Sequence, residues 1–322
     1  MARKKLKAVE AVDIYVKDIF DDYIDYKLTF GRSEKTIESI RNSFKKFFGY
    51  FGDDITIGSI DTGLIYQYTN HLKKLELTTS SINHYLRDLR TFVYWCYEQG
   101  HLEHKIEVKM IKGQEAVKET YEDEELIRLL AKPKKTDGFT EWRDWAIVNW
   151  IYGTGNRIST VVEVRVEDIN IKKNDIVIRA QKNKKAASIP MDKRLAAVLR
   201  EYMQRCRPEA KEEDFLFTNI YGEQLSTNAL QQSIRRYNER REVTKTSPHA
   251  LRHTFAKNWV MNGGDIFRLQ KILGHSTLEM TRHYVNLYGA DLKEGFDEIS
   301  PLSKITKVKG GSKKGKLKVV SD

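Results

Sequence analysis

The chain has 322 residues, of which 40% are hydrophobic and 11% aromatic, and this composition excludes an intrinsically disordered protein. The length exceeds the usual size of one hydrophobic core, so two domains are expected. The net charge of +11 indicates an anionic partner, and nucleic acid is favoured because no apolar run approaches the roughly 20 residues that span a bilayer.

The N-terminus and the cysteines indicate the compartment. Residues 1–13 lack the apolar core of a signal peptide. Cys96 and Cys206 provide no disulfide framework and are typical of a reducing environment. We therefore expect a cytoplasmic protein without membrane association.

Residues 1–100 are predicted to form a bundle of four helices, because apolar residues recur there at helical spacing. Ser33 and the hydroxyls of residues 78–81 are placed to cap the second and fourth helices. The residues that recur at helical spacing are Val12, Tyr15, Val16, Ile19, Phe20, Tyr23, Ile37, Ile40, Phe44, Phe47, Phe48, Leu64, Ile65, Tyr68, Leu72, Ile82, Tyr85, Leu86, Leu89, Phe92, Val93 and Cys96.

The fourth helix carries His84, Arg87 and Arg90 at intervals of three residues. Such a basic flank is either a solvated face or a DNA-binding face, and both interpretations stay open. In residues 101–120 the apolar rhythm fades and lysines appear, among them Lys105. This segment is predicted to be an interdomain linker that can run along a nucleic acid backbone.

Residues 121–300 are predicted to form a second domain. An apolar helix ends at residues 152–155 in a turn that exposes Asn156 and Arg157. Strands at 175–179 and 187–190 flank a hairpin tip that carries Lys182, Lys184 and Lys185. Further helices are expected at 195–203, 228–239, 249–262, 265–273 and 291–299. Residues 301–322 contain seven lysines against one acid and are predicted to form a flexible basic tail.

The most informative motifs are His249-Ala-Leu-Arg252-His253, Leu273-Gly-His275 and Tyr284, together with the upstream Arg157. Arginine presents a planar fork to phosphate oxygens, and histidine exchanges protons near neutral pH. Tyrosine can form a covalent intermediate with a phosphodiester. These residue types indicate phosphoryl transfer on DNA.

In this order and spacing the motifs resemble the tyrosine recombinases, the family of phage integrases, Xer proteins and Cre. The resemblance identifies Arg157, the hairpin Lys182, His249 and Arg252 of the H-x-L-R-H box, His275 of the LGH-S motif and the nucleophile Tyr284. It implies a mainly α fold with a small β-sheet: an N-terminal four-helix core-binding (SAM-like) domain and an α+β catalytic domain, without an arm-binding domain.

The implied function is site-specific cleavage and rejoining of duplex DNA through a covalent 3′-phosphotyrosine, for integration, excision or resolution. Arg157 and Arg252 would clamp the phosphate, and His275 would donate to it. Lys182 would protonate the leaving 5′ oxygen, and His249 would take the tyrosine proton. No metal, ATP or other cofactor is implied, and Lys184 and Lys185 would bind the DNA backbone.

Two positions depart from the family pattern. Thr160 stands where an acidic residue usually supports the active site, and Glu163 is a possible substitute. Asn156 replaces the usual leucine before the first arginine.

The resemblance also implies assembly on DNA. Leu292, Phe296 and Ile299 form an apolar stripe on a short C-terminal helix. Either this helix packs on its own domain, or each protomer donates it to a neighbour. Donation predicts a homotetramer on two DNA duplexes and a monomer in free solution.

Three alternatives remain. His249 and His253 lie at i and i+4, as in zinc proteases, but Ala250 occupies the position where those enzymes have a glutamate. A DNA-binding protein without catalysis would show the same charge but would not require Tyr284 with both arginines. A type IB topoisomerase would share the chemistry, although the four-helix N-terminal domain favours a recombinase.

Overall fold

The computed structural model describes residues 14–113, 119–179 and 187–288. The chain divides into two compact units, Met1–Ala116 and Val117–Asp322. The predicted hairpin tip, the helix at 291–299 and the basic tail lie outside the described residues. In the ranges that are described, no helix is long and apolar enough to cross a membrane.

The first unit contains the four helices that the apolar periodicity predicts. Ser33 Oγ accepts a hydrogen bond from the backbone of Thr36, and Thr78 Oγ1 accepts one from Ser81, so both predicted caps are confirmed. The helices are α1 (Val16–Thr29), α2 (Glu34–Phe51), α3 (Thr62–Lys74) and α4 (Thr79–Glu98).

Stacked aromatic rings hold this bundle together. Phe20 and Phe44 stack with their ring centroids 4.1 Å apart, and Phe92 meets Phe44 edge-on at 5.0 Å. Each of these three rings is at most 5% exposed. The rings come from α1, α2 and α4, so one aromatic cluster connects three helices.

Residues 101–113 differ from the predicted linker, because they pack on the first unit. Leu102 and Val108 are buried in its core. The side chain of Asn83 on α4 accepts a hydrogen bond from the backbone of Ile111 and donates one to its carbonyl. Ile106, Val108 and Met110 alternate with charged residues and turn toward the core, although the segment forms neither a helix nor a strand.

The second unit surrounds one apolar helix with shorter helices and a small sheet. Its elements are α5 (Asp123–Leu130), α6 (Phe139–Thr154), α7 (Ile158–Val161), β1 (Ile169–Asn170), β2 (Asp175–Ile178), β3 (Ala187–Pro190), α8 (Lys193–Cys206), α9 (Thr227–Glu239), α10 (Pro248–Met261), α11 (Ile266–Leu273) and α12 (Glu279–Tyr288).

Helix α6 is buried around most of its circumference and packs against α8 and α10. The sheet is antiparallel in the order β1-β2-β3, with Ile176 opposite Ile189. The two predicted strands are confirmed, whereas the two-residue β1 was not predicted, because so short a strand has no measurable periodicity. The mainly α fold with a small sheet is thus the predicted fold class.

Candidate active site

The turn after α6 brings Arg157 to the site. Gly155 ends the helix in the left-handed region, with φ of 64°. A Cβ atom at this position would lie 2.5 Å from Phe255 and 2.7 Å from Leu273, so only glycine fits. Arg157 follows at the start of α7, and its Nη1 donates to the carbonyl of Leu273 at 3.3 Å.

Arg252 lies beside Arg157, on α10, and is 5% exposed. Its Nη1 donates to the carbonyl of Gly155 at 2.6 Å, and its Nη2 donates to the carbonyl of Leu273 at 2.9 Å. Both arginines therefore share one carbonyl acceptor. Burial, and to a smaller extent the charge of Arg157, lowers the pKa of the Arg252 guanidinium to about 10.

His275 is fixed through both of its ring nitrogens. Arg252 Nη2 donates to His275 Nε2 at 2.9 Å, and because a guanidinium can only donate, Nε2 is the acceptor. His275 Nδ1 lies 2.9 Å from Thr281 Oγ1, and Thr281 is fully buried. In the neutral ring the proton therefore sits on Nδ1 and is donated to the threonine hydroxyl.

Tyr284 is 1% exposed and lies between two histidines. Its Oη is 2.6 Å from His253 Nδ1. Its ring is nearly parallel to that of His275, at an interplanar angle of 6° and a centroid separation of 6.5 Å. The contact of Tyr284 with His253 was not predicted. Only its spacing, one turn after His249, was visible in the sequence.

His249 lies at the start of α10, one turn before His253. Burial, followed by the charges of Arg252 and Arg157, lowers the pKa of its imidazole below the ordinary 6.5. The structure thus brings together five of the six predicted catalytic residues: Arg157, His249, Arg252, His275 and Tyr284.

Comparison with known proteins shows the family of the chain. The model of the phage integrase family matches residues 119–290, and the model of the phage integrase SAM-like domain matches residues 15–110. The chain belongs to the phage integrase family. Tyrosine recombinase XerD of Staphylococcus epidermidis is 25% identical over 292 residues, which cover 88% of this chain and 98% of that protein. Tyrosine recombinase XerC of Thermodesulfovibrio yellowstonii is 28% identical and covers 86% and 94%.

Solved structures share the fold. The Tn1549 transposon integrase in complex with transposon right end DNA has a TM-score of 0.73 at 17% identity, covering 92% of this chain and 99% of that one. A lambda integrase tetramer bound to a Holliday junction has a TM-score of 0.69 at 16% identity, covering 88% and 80%. The predicted family is confirmed, and with it the enzyme class, a site-specific tyrosine recombinase that breaks and rejoins DNA strands.

The remaining lysines of the predicted site, Lys182, Lys184 and Lys185, lie outside the described residues. Glu163 is exposed and accepts a hydrogen bond from Gln224. The acceptors of the two arginines are backbone carbonyls and His275 instead. In the structure Glu163 therefore does not replace the acid missing at Thr160.

The candidate DNA-binding residues of the first unit have different surroundings. Arg87 is exposed and Arg90 is half-buried on α4. His84 Nε2 lies 3.2 Å from Ser39 Oγ and 3.5 Å from a carboxylate oxygen of Asp88. The Lys105 ammonium sits over the ring of Tyr94, 4.5 Å from its centroid. Arg87 and Lys105 are thus the exposed cations of this set.

Metal binding by His249 and His253 requires further ligands. In the ranges 14–113, 119–179 and 187–288, no group of three or more His, Cys, Asp or Glu is arranged to hold a metal ion. His253 Nδ1 contacts the hydroxyl of Tyr284. This donor set does not fit a zinc site.

Proposed function

We propose that this recombinase cleaves duplex DNA by attack of Tyr284 on a phosphodiester held by Arg157 and Arg252. The supporting observation is the charge of the site. Buried charges are normally paired, yet no ion pair among the described residues includes Arg157 or Arg252. Two adjacent guanidiniums without a carboxylate attract an anion with two free oxygens, such as a phosphodiester.

The chemistry follows from charge development on phosphorus. Attack by the tyrosine oxygen places negative charge on the non-bridging oxygens, and fixed donors there lower the barrier. Arg252 is fixed by the carbonyls of Gly155 and Leu273, so its position requires little reorganisation. His275 would join as a donor only after Nε2 exchanges its present bond with Arg252.

Proton transfers complete the reaction. Cleavage leaves a 3′-phosphotyrosine and a 5′ hydroxyl, and the leaving oxygen needs a proton, for which Lys182 is the proposed donor. The covalent bond retains the energy of the phosphodiester, so rejoining needs neither ATP nor a metal. The chemistry of imidazole predicts His249 as the acceptor of the tyrosine proton, whereas the ring in contact with the Tyr284 hydroxyl is that of His253.

The further parts of the proposal concern partners. Duplex DNA is the substrate, and the net charge of +11 supports its binding. Arg87, Arg90, His84, Lys105, Lys184 and Lys185 are the proposed backbone contacts. A monomer in solution that assembles into a tetramer on DNA, and a cytoplasmic location where DNA is reached, also belong to this proposal.

The decisive experiment traps the covalent intermediate on a nicked duplex. Tyr284→Phe should bind DNA as the natural protein does and form no adduct, because it lacks the attacking oxygen. Tyr288→Phe, four residues later on α12, is the matched control and should form the adduct. An adduct that survives in Tyr284→Phe and disappears in Tyr288→Phe would reverse the assignment.

A modified substrate tests Lys182. With sulfur in the 5′-bridging position the leaving group departs without protonation, so this substrate should restore cleavage by Lys182→Ala. Lys184→Ala is the matched control for a backbone contact, and its defect should be the same on both substrates. If Lys182→Ala stays inactive on the sulfur substrate, its role is in binding.

Assembly is tested by truncation before Asp291. The shortened protein should bind a single half-site but fail to join two duplexes, since it lacks the stripe of Leu292, Phe296 and Ile299. Gel-shift and light-scattering measurements distinguish these species. Normal joining of duplexes by the truncated protein would exclude exchange of the C-terminal helix.

A further inference from the structure

The hydroxyl of Tyr284 contacts a histidine outside the predicted catalytic set. His253 Nδ1 lies 2.6 Å from Tyr284 Oη, and the ring centroids are 5.8 Å apart. His253 is half-buried on α10, and Tyr284 is 1% exposed on α12. A nucleophile and its base are expected within about 2.6–3.2 Å of each other, and this pair meets that geometry.

We propose that His253 Nδ1 is the general base that takes the proton of Tyr284. The inference rests on the proposed function, because it requires Tyr284 to be the nucleophile. In cleavage the bond from Tyr284 Oη to phosphorus forms, and the phenol proton moves to His253. The bond from phosphorus to the 5′ oxygen breaks, and that oxygen takes a proton from Lys182. Rejoining reverses both transfers, so no oxidant or other reactant is consumed.

The position of His253 in the chain suits this role. Arg157 and Arg252 together form the proposed phosphate clamp. His253 follows Arg252 directly, so the base and one arginine of the clamp share one turn of α10. Arg252 is held by two backbone carbonyls from different elements, which fixes that turn relative to the phosphate. When phosphate occupies the clamp, the proton acceptor stays beside it and beside the tyrosine that attacks.

His249 is less well placed for this transfer. Among the hydrogen bonds of the described residues, none joins the His249 ring to Tyr284. The pKa of His249 is lowered first by burial and then by the charges of Arg252 and Arg157. His249 therefore lies near the two arginines, whereas His253 is the histidine in hydrogen-bond contact with the nucleophile.

The first test replaces each histidine by asparagine in the full chain. An asparagine amide oxygen can accept a hydrogen bond near the Nδ1 position but cannot hold the proton. His253→Asn should slow single-turnover adduct formation on a nicked duplex by about 100-fold or more, the usual range for general base catalysis. Half-site binding and thermal unfolding confirm that the variant is folded, and His253→Gln substitutes if it is not.

The second test changes the acidity of the nucleophile. With 3,5-difluorotyrosine at position 284 the phenol is more acidic and needs less help from a base. The ratio of cleavage rates between the natural histidine and His253→Asn should shrink by at least tenfold in this background. The ratio for His249→Asn, the matched control, should not change.

Each outcome decides the inference. Cleavage by His253→Asn at the natural rate or faster would mean that His253 only holds Tyr284 at rest. An equal defect with both tyrosines would mean that His253 has a structural role. An adduct formed by Tyr284→Phe in the same assay would overturn the proposed function itself, whereas loss of that adduct with an active His253→Asn would overturn this inference alone.

Discussion

The two units of the molecule are stabilised by different interactions. In the described part of the first unit, Ser43 is the only buried side chain that is polar or charged, apart from aromatic ones. The second unit buries many more: Arg143, Asp144, Asn149, Thr154, Asn156, Asp168, Thr218, Ser233, Asn238, Arg252, Thr254 and Thr281. A helical bundle that presents a surface needs only packing, whereas a catalytic site needs fixed donors whose partners are buried with them.

Breaking the buried ion pair of the second unit should cause the largest loss of stability. Arg143 Nη2 lies 2.7 Å from a carboxylate oxygen of Asp144, and both are held by Ser233 on α9. Asp144→Ala leaves a buried guanidinium without its partner and should lower the free energy of unfolding by about 3–5 kcal/mol. Urea denaturation measures the loss.

An exposed ion pair on α9, the helix that carries Ser233, is the control. Arg235 and Glu239 lie 2.9 Å apart at i and i+4 on α9, with more than half of each side chain exposed. Glu239→Ala should cost no more than about 0.5 kcal/mol. If Asp144→Ala and Glu239→Ala lose similar stability, burial does not make the charges of the second unit more important than exposed charges.

Removing an aromatic ring from the first unit should lower the free energy of unfolding as much as breaking the buried ion pair does, but it should not affect catalysis. Phe44 contacts Phe20 and Phe92 and is 2% exposed, so Phe44→Ala should cost about 3–5 kcal/mol of stability. At temperatures where the variant is folded and DNA is saturated, its rate of adduct formation should equal the natural rate. A slower reaction under those conditions would mean that the first unit contributes to chemistry.

The sequence predicts whatever has a local period or a fixed motif. Among the described residues, the four helices of the first unit, the caps at Ser33 and Thr78 and the proximity of Arg157 to Arg252 were predicted correctly. Other features were not predicted, among them the packing of Leu102, the strand β1, the contact of His253 with Tyr284, and the carbonyl of Leu273 as shared acceptor of both arginines. Every residue has a backbone carbonyl. Which carbonyl accepts the hydrogen bonds therefore depends on the tertiary fold and cannot be inferred from residue types.

Replacing the guanidinium of Arg252 by a lysine amine tests whether fixed hydrogen-bond donors in the second unit are needed for cleavage. A lysine keeps the charge but cannot bond Gly155, Leu273 and His275 together. Arg252→Lys should slow adduct formation by about 10²–10³-fold, the cost of losing one preorganised donor. Arg268→Lys, on the exposed surface of α11, is the control and should cleave at nearly the natural rate. A similar loss in both would indicate a role in DNA binding only.

The smallest effect concerns the charge state of His249. Burial, then Arg252 and Arg157, lowers its pKa below 6.5, so its proton is bound more weakly in the folded chain than in the unfolded one. Below pH 6.5 the unfolded state binds more protons, and stability should fall as the pH decreases toward the folded pKa. Above pH 6.5 the contribution is fully present and constant.

The decline in stability below pH 6.5 should be slight, because His249 is partly exposed, and it should be absent in His249→Asn. An NMR titration, with the His249 signal identified by its loss in that variant, should give a midpoint below 6.5, because burial and then the two neighbouring guanidiniums disfavour the charged ring. A midpoint at or above 6.5 would mean that neither burial nor the two arginines perturb His249 in the folded protein.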